Sequence, residues 1–390
     1  MTEDSYSYSS THPPLPPTTE DHRFDWLRLL RSRRVGISTF WRLLSEHGTA
    51  AAALAALPDI AASAGVSGYQ VCPKGVIHAE LKAARAGRAR MICRGEAAYP
   101  AQLSEISDPP PILWVTGDPR ALARPMVALV GARNASSLGT RMAKSLARGL
   151  GEAGYLVVSG LARGIDTVAH QAALDTGTAA VLAGGVDVLY PSENTLLAEE
   201  MCRKGGALIS EMPMGMQPLA RHFPARNRIV SGLSSAVVVV EAAAKSGSLI
   251  TARCALDQGR DVLAVPGHPL DARAGGCNIL IRDGARLVRD ADDVIEAIGP
   301  LAAPAAAAPQ AELPLDPPAV PAAPPQRRTL AETAALHSRI LARLGPSPIA
   351  EDQLIRDLAC PSGEVAPVLT DLEMEGRVRR RPGGLLTLVP

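Results

Sequence analysis

Between Met126 and Asp166 the chain twice runs a short β-branched stretch into glycine and turns at once into a helical pattern. The first pass reads M-V-A-L-V-G-A-R-N-A-S-S-L-G-T-R; after an amphipathic stretch the second reads Y-L-V-V-S-G-L-A-R-G-I-D. Uninterrupted apolar runs of this length suit parallel strands buried on both faces. The turns after such strands bring backbone N–H groups and helix N-termini to the carboxyl edge of a sheet, where phosphates bind. Arg133 in the first turn and Arg163 in the second add positive charge. That combination points to a polyanion rather than to a cofactor in a neutral slot.

The same alternation continues from Pro125 to Ile298, with strands expected at 127–130, 155–159, 179–183, 207–210, 236–240 and 261–265. Residues 125–298 therefore read as an α/β domain, an extended Rossmann-like doubly wound parallel sheet. Residues 90–124 read as a proline-stiffened connector, in which 112–115 is expected to add an edge strand. Residues 21–89 read as a small helical domain of the SAM or helix-hairpin-helix kind. Trp26, Leu27, Leu29 and Leu30 share a face there, Ser38 is the expected N-cap of a second helix, and Gly48 is its stop. Gly65 and Gly68 suggest a further helix–glycine–helix turn. Such turns either hold a DNA phosphate or serve packing alone.

Residues 1–20 carry acids and prolines and read as a disordered leader. Residues 299–328 read as a Pro/Ala linker; 299–326 alone hold 9 prolines and 10 alanines. Residues 329–390 give three helical patterns, then R-R-R-P-G-G between two short strands, which is a winged helix.

Net charge is silent about partners, because 40 basic side chains face 39 acidic ones. Aromatics make up 3% of the chain, which argues against a binder that relies on rows of stacking rings. The six cysteines form no CxxC pair, so neither a metal site nor a disulfide framework is expected. No run approaches a membrane span and no signal peptide is legible, so a cytoplasmic protein is expected, without cofactor.

Four segments hold the candidate site. In 131–141, Gly131 permits the strand exit, Ser136 or Ser137 caps the helix, and Gly139 allows close approach of a ligand or of the sheet. The spacing is not G-x-G-x-x-G and no acid follows the second strand to hold a ribose, which disfavours a dinucleotide. In 159–170, Gly160 and Gly164 flank Arg163, while Asp166 and His170 suit capping and a polar network better than acid–base catalysis. In 222–233, Arg226, Asn227 and Arg228 open a helix; one arginine is expected to meet phosphate and the other to pair with Glu211 or Glu241. In 240–252, Ser246, Gly247 and Ser248 make a third phosphate-ready turn beside Lys245, with Glu241 a weaker candidate for a base or sugar.

In order, the chain carries V-G-A-R-x-x-S, S-G-L-A-R-G-I-D-x-x-A-H, Y-P-x-E-N, S-E, H-F-P-A-R-N-R-I-V-S-G-L, V-V-E-A-x-x-x-S-G-S-L-I-T-A and V-P-G-H-P. This set resembles the DprA/Smf family of bacterial DNA-processing proteins from about residue 25 to 298. The resemblance implies a non-enzymatic homodimer that binds and protects single-stranded DNA during natural transformation and loads the recombinase RecA onto it. It places the DNA-contacting arginine of V-G-x-R on Arg133. The family's frequent lysine in Y-P-K-x-N falls on Ser192, so Lys245 or Arg163 is expected to compensate. The self-association segment falls on 275–288, with Asn278, Ile279, Ile281 and Leu287 as interface candidates; the apolar three equally suit a core. A rival reading, a nucleotide sensor or nucleoside monophosphate hydrolase, is disfavoured because S-G-S-L-I-T-A has no glutamate three residues after the threonine.

The third helix of the winged domain, 362–375, carries Glu364, Asp371, Glu373 and Glu375 and no Lys or Arg. A net negative helix has the wrong sign for groove entry, although Arg377, Arg379, Arg380 and Arg381 follow it. A chain ending near residue 298 should therefore keep its single-strand affinity within about threefold in a salt-matched titration. A hundredfold loss would transfer DNA binding to the wing.

Overall fold

The computed structural model of the chain describes residues 16–299, 330–345, 348–374, 376–381 and 385–388. Most of the expected leader, nearly all of the Pro/Ala linker, and the wing turn at 382–384 lie outside the described residues. The chain divides into two compact units near residue 303.

Four helices come first: α1 (Glu20–Arg31), α2 (Ile37–His47), α3 (Ala50–Ser63) and α4 (Lys74–Ala86). The Thr19 hydroxyl accepts from the His22 amide, acids fill the first turn of α1 and arginines its last, as the helix dipole favours. Helix α2 begins ahead of the expected Ser38 cap. Its N-cap is Gly36, without a side-chain bond, and Gly48 ends it at φ 74°. Trp26, Phe40 and Trp41 pack edge to face at 5.1 to 5.7 Å.

The sheet unit follows with β1 (Arg90–Cys93), a short α5 (Ala101–Ser104), β2 (Ile112–Gly117), β3 (Met126–Gly131), α6 (Ser137–Glu152), β4 (Leu156–Ser159) and α7 (Ile165–Ala172). It continues with β5 (Thr178–Val181), α8 (Thr195–Arg203), β6 (Ala207–Ser210), α9 (His222–Gly232) and β7 (Ala236–Glu241). It closes with α10 (Ser248–Asp257), β8 (Asp261–Ala264), α11 (Gly275–Arg282), β9 (Arg286–Leu287) and α12 (Ala291–Ile298). The nine strands lie in the order β1-β2-β6-β5-β4-β3-β7-β8-β9, parallel from β6 to β9 and antiparallel at β1–β2 and β2–β6. The chain thus winds outward from β3 to β6, then returns to the other side of β3 as β7. A crevice opens at that reversal.

Two expectations for 90–124 need correction. The segment is no mere connector, since it supplies two sheet strands, and 112–115 is not at the edge. The edge is β1, whose four residues R-M-I-C carry no alternation that marks a strand. Its exposed side is blunted: Arg23 donates to the Met91 carbonyl and pairs with Glu96 at 2.8 Å.

Strand alternation sets the layers. Met126, Ala128, Val130, Val237 and Val239 face α9 and α10, while Val127, Leu129, Ala236, Val238 and Val240 face α6, α7 and α12. Trp114, Ala180, Leu182 and Leu208 pack instead with the N-terminal helices in one core. That helical region is therefore a layer on the sheet. Its clamp is Glu80, 8% exposed, which accepts from Arg31 Nε and Nη2 at 2.9 and 2.8 Å and from Trp114 Nε1 at 3.0 Å.

The second unit holds α13 (Leu330–Arg343), β10 (Ile349–Ala350), α14 (Glu351–Leu358), α15 (Ser362–Met374), β11 (Val378–Arg381) and β12 (Leu385–Leu388). Its sheet order is β10-β12-β11, around a core of Leu336, Ile340, Leu354, Leu358, Leu369 and Leu372. This is a winged helix with one more strand, β10, than the sequence suggested. Among the described residues no helix is long and apolar enough to cross a membrane.

Glu80→Ala would strand the Arg31 guanidinium in a buried site. It should cost about 3–5 kcal/mol in urea unfolding, the range for breaking a buried ion pair. A loss below about 1 kcal/mol would mean that the pair is solvated like a surface one.

Candidate nucleic-acid interface

The carboxyl ends of β3, β4 and β7 surround a groove of about 760 Å³, lined by residues of all three following turns. The first two turns share one fate and the third another.

In the first, Ser136, one of the two expected caps, is the N-cap of α6, and its hydroxyl accepts from Gly139 N at 3.0 Å. The Ser136 amide and hydroxyl in turn donate to the Glu241 carboxylate, at 3.1 and 2.5 Å. A Cβ at Gly139 would lie 2.3 Å from Glu241 Oε2. The close approach that Gly139 allows is thus that of Glu241, not of a ligand. Glu241, 8% exposed, caps a helix from the neighbouring strand and does not line the groove.

In the second, Asp166 Oδ2 accepts from Gly160 N at 3.0 Å and Ala162 N at 3.2 Å. Burial pushes this carboxyl above the ordinary range, against the pull of Arg226. Gly164 sits at φ 77°, and a Cβ there would meet Ala132 O at 2.2 Å, so glycine lets the first two turns pack together. Ile165 N donates to that same Ala132 carbonyl at 3.1 Å. The first two of the three turns that looked ready for phosphate are filled by the protein's own carboxylates. The third differs: the N-cap of α10 is Gly247, Ser248 N donates only a long 3.4 Å bond to Ser246 Oγ, and Ser246 Oγ and Ser248 Oγ lie 2.8 Å apart at the groove.

The paired arginines also depart from expectation. Arg226 is 6% exposed and donates to Gly160 O at 2.7 Å and to Val181 O, with its Nε on Asn227 Oδ1 at 3.3 Å. Burial lowers its guanidinium to about 10. Arg228 donates to Asp108 O at 2.9 Å, pairs with Asp108 Oδ2 at 3.1 Å and bonds Glu211. Both are internal, where one was expected to face phosphate. Arg228 does not line the groove at all, whereas Arg226 and Asn227 do.

His170 is fully buried, with Nδ1 2.6 Å from Thr178 Oγ1 and no partner on Nε2. Burial, aided by Arg226, pushes it down to about 3. It belongs to the packing beneath the groove. Arg163 is exposed but pairs with Glu193 at 2.7 Å, beside Ser192.

The free cations are others. Arg133, Lys245 and Arg273 are exposed, line the groove and have no ion-pair partner among the described residues. Arg133 Cζ lies 5.5 Å from the centre of the Phe223 ring, and Phe223 meets Tyr190 edge to face at 5.8 Å. Tyr190, Phe223 and Arg273 were not among the sequence candidates. The low aromatic content hid the first two, although both lie in the quoted motifs; Arg273 follows P-G-H-P with no pattern of its own.

Away from the groove, Asn278 exchanges hydrogen bonds with Gly267 at 3.0 and 3.2 Å and so fixes the P-G-H-P loop. Ile279 and Leu287 are 38% and 46% exposed, whereas Ile281 packs against the sheet core.

A family model for DNA recombination-mediator protein A matches residues 90–299. The chain belongs to that family, the DprA/Smf DNA-processing proteins. A DprA-like N-terminal helix-hairpin-helix model matches residues 20–83 and a DprA winged-helix model matches 302–384. Protein Smf of Escherichia coli is 46% identical over 200 residues, 51% of this chain and 54% of that protein. DNA processing protein DprA of Streptococcus pneumoniae is 47% identical over 199 residues, 50% of this chain and 70% of that protein. The X-ray structure of the pneumococcal protein aligns at TM-score 0.52 and 39% identity, over 62% of this chain and 86% of that one. A structure of DNA processing protein A from Helicobacter pylori, which concerns its single-stranded DNA binding mode, aligns at TM-score 0.50 and 29% identity. It covers 54% of this chain and 95% of that one.

A buried histidine held near 3 has a signature in acid. The unfolded chain takes up a proton near pH 6.5 that the folded one refuses until about 3, so stability falls with pH across that window. His170→Gln should flatten the slope between pH 6 and 4 by up to about 1.4 kcal/mol per pH unit. Parallel acid-unfolding profiles for variant and wild type would show instead that the imidazole is reachable by water.

Proposed function

We propose that the chain holds single-stranded DNA across the groove and, as a homodimer, delivers it to a RecA-type recombinase without catalysing a reaction on it. The observation that carries this reading is the division between occupied and free groups. The amides that the first two turns would offer a mononucleotide are bound to Glu241 and Asp166, while Arg133, Lys245 and Arg273 stay exposed around an aromatic pair. Side-chain cations suit the spaced phosphates of a polynucleotide, and the Tyr190–Phe223 pair suits an unpaired base. The H. pylori relative's single-strand binding supports the ligand, and the family's description as a recombination mediator supports the recipient. Ile279 on α11 and Leu287 on the short edge strand β9, both exposed, support self-association.

Arg133→Ala should weaken oligo-dT binding by about 1–3 kcal/mol, the range for a charge-assisted bond, and flatten the salt slope by about 0.7. Unchanged affinity and slope would leave Arg133 a surface residue. Ile279→Glu with Leu287→Glu should give a folded monomer by light scattering, because each carboxylate meets its own copy across a two-fold axis. A dimeric mass for that variant would move the interface elsewhere.

A further inference from the structure

A second, larger cleft of about 1330 Å³ lies at the amino edge of the sheet, the opposite edge from the groove. It opens between the end of α4, the start of β1, the end of β2 and the last turn of α8, and Arg88, Arg90, Arg120 and Arg203 line it. Asp118 is the one acid in that lining, and its carboxylate holds Arg120 at 2.9 to 3.1 Å. Arg203 bonds Glu200 at 3.3 Å. Arg88 and Arg90 are exposed, with no ion-pair partner within 4.0 Å among the described residues, although the charge of Arg90 is felt by Asp118, whose carboxyl Arg120 chiefly lowers.

A plainer explanation covers part of this. Helix C-termini attract cations, which accounts for Arg203 in the last turn of α8 and for Arg88 just past α4. It does not account for Arg90, which stands on β1. Nor does it account for the backbone of Arg88, at φ 53° immediately after the Gly87 cap, where glycine would carry no steric penalty.

We infer that this cleft is a second phosphate-backbone site, which holds the continuation of a single strand already bound in the groove; the inference rests on the single-strand binding proposed above. Arginine forks match phosphate oxygens, and all four cations lining the cleft are arginine. The apolar part of the lining is alanine, Pro119 and Cys202, with no aromatic or large aliphatic side chain to anchor a folded protein partner. It offers bases nothing to stack on, so contact is with the backbone alone. Along the strands the two sites lie about 15–20 Å apart, and the four strand spacings from β2 to β3 add roughly 19 Å sideways. At the ~3.4 Å per phosphate of a stacked strand, six nucleotides reach one site and thirty reach both.

The test uses the full chain, the double variant Arg88→Ala with Arg90→Ala, and oligo-dT of about six and about thirty nucleotides. The short oligomer should bind both proteins alike within about twofold, which also reports an intact fold. The long one should bind the variant about tenfold more weakly, with a salt slope flatter by about 1.4, two phosphates' worth. Arg133→Ala, by contrast, should weaken both oligomers. Wild-type affinity and slope for the long oligomer in the double variant overturn the inference and leave the groove standing. If wild-type protein binds neither oligomer, the proposed function falls and this site with it. If the long oligomer is unaffected but binding of poly-glutamate is lost, the cleft takes an acidic protein segment and the inference is wrong. Arg88→Gly supplies an independent check: relief of the left-handed backbone should raise Tm while the long oligomer binds less tightly. A lowered Tm with affinity intact would make Arg88 a helix-end residue only.

Discussion

Asp166 and Glu241 stand where a phosphate would stand in a nucleotide-binding sheet of this winding, and the rest of the carboxyl edge is arranged around them. Asp166 gathers the amides after β4, and Arg226 binds the carbonyls of Gly160 and Val181 beneath, so strands β4 and β5 and helices α7 and α9 meet in one polar knot. Glu241 reaches from the end of β7 to the start of α6 and joins the two halves of the sheet across the reversal. Each carboxylate supplies the negative charge that a helix N-terminus favours. With that charge built in, the helix N-termini after β3 and β4 are already compensated within the protein.

On the proposed reading, recognition passes from backbone to side chains. Preset amides read one phosphate at one distance, whereas arginine and lysine on exposed turns adapt to successive phosphates of a flexible strand. Arg133 shows how such a residue is kept in place without being neutralised: its guanidinium lies over the Phe223 ring, not against a carboxylate. Arg163 shows the contrary arrangement, since Glu193 already compensates it.

What the sequence disclosed followed physical range. Buried strands announce themselves as apolar runs because each residue's neighbours along the chain share its burial, and the Ser136 cap is legible because its bond closes within three residues. The fate of Arg226 and Arg228 was not legible. It depends on how α9 is rotated against β5 and on Asp108, 120 residues away from Arg228. Strand β1 escaped notice for a related reason, since four residues held by β2 and by Arg23 need no pattern of their own. The docking of the N-terminal helices on the sheet was hidden in the same way. It is fixed by Glu80 and Trp114, two residues whose types alone suggest no pairing.

The two ends of the nine-stranded sheet are treated differently. At β1 an arginine occupies a carbonyl that another strand would need, whereas β9 is two residues long and has no strand beyond it among the described residues. A sheet that accepts neighbours on both sides can stack copies into a fibre without limit. One that accepts them on a single side can add one partner and then has nothing left to offer. Strand addition confined to one edge would end at two copies, so the arginine on β1 guards the sheet against open-ended stacking.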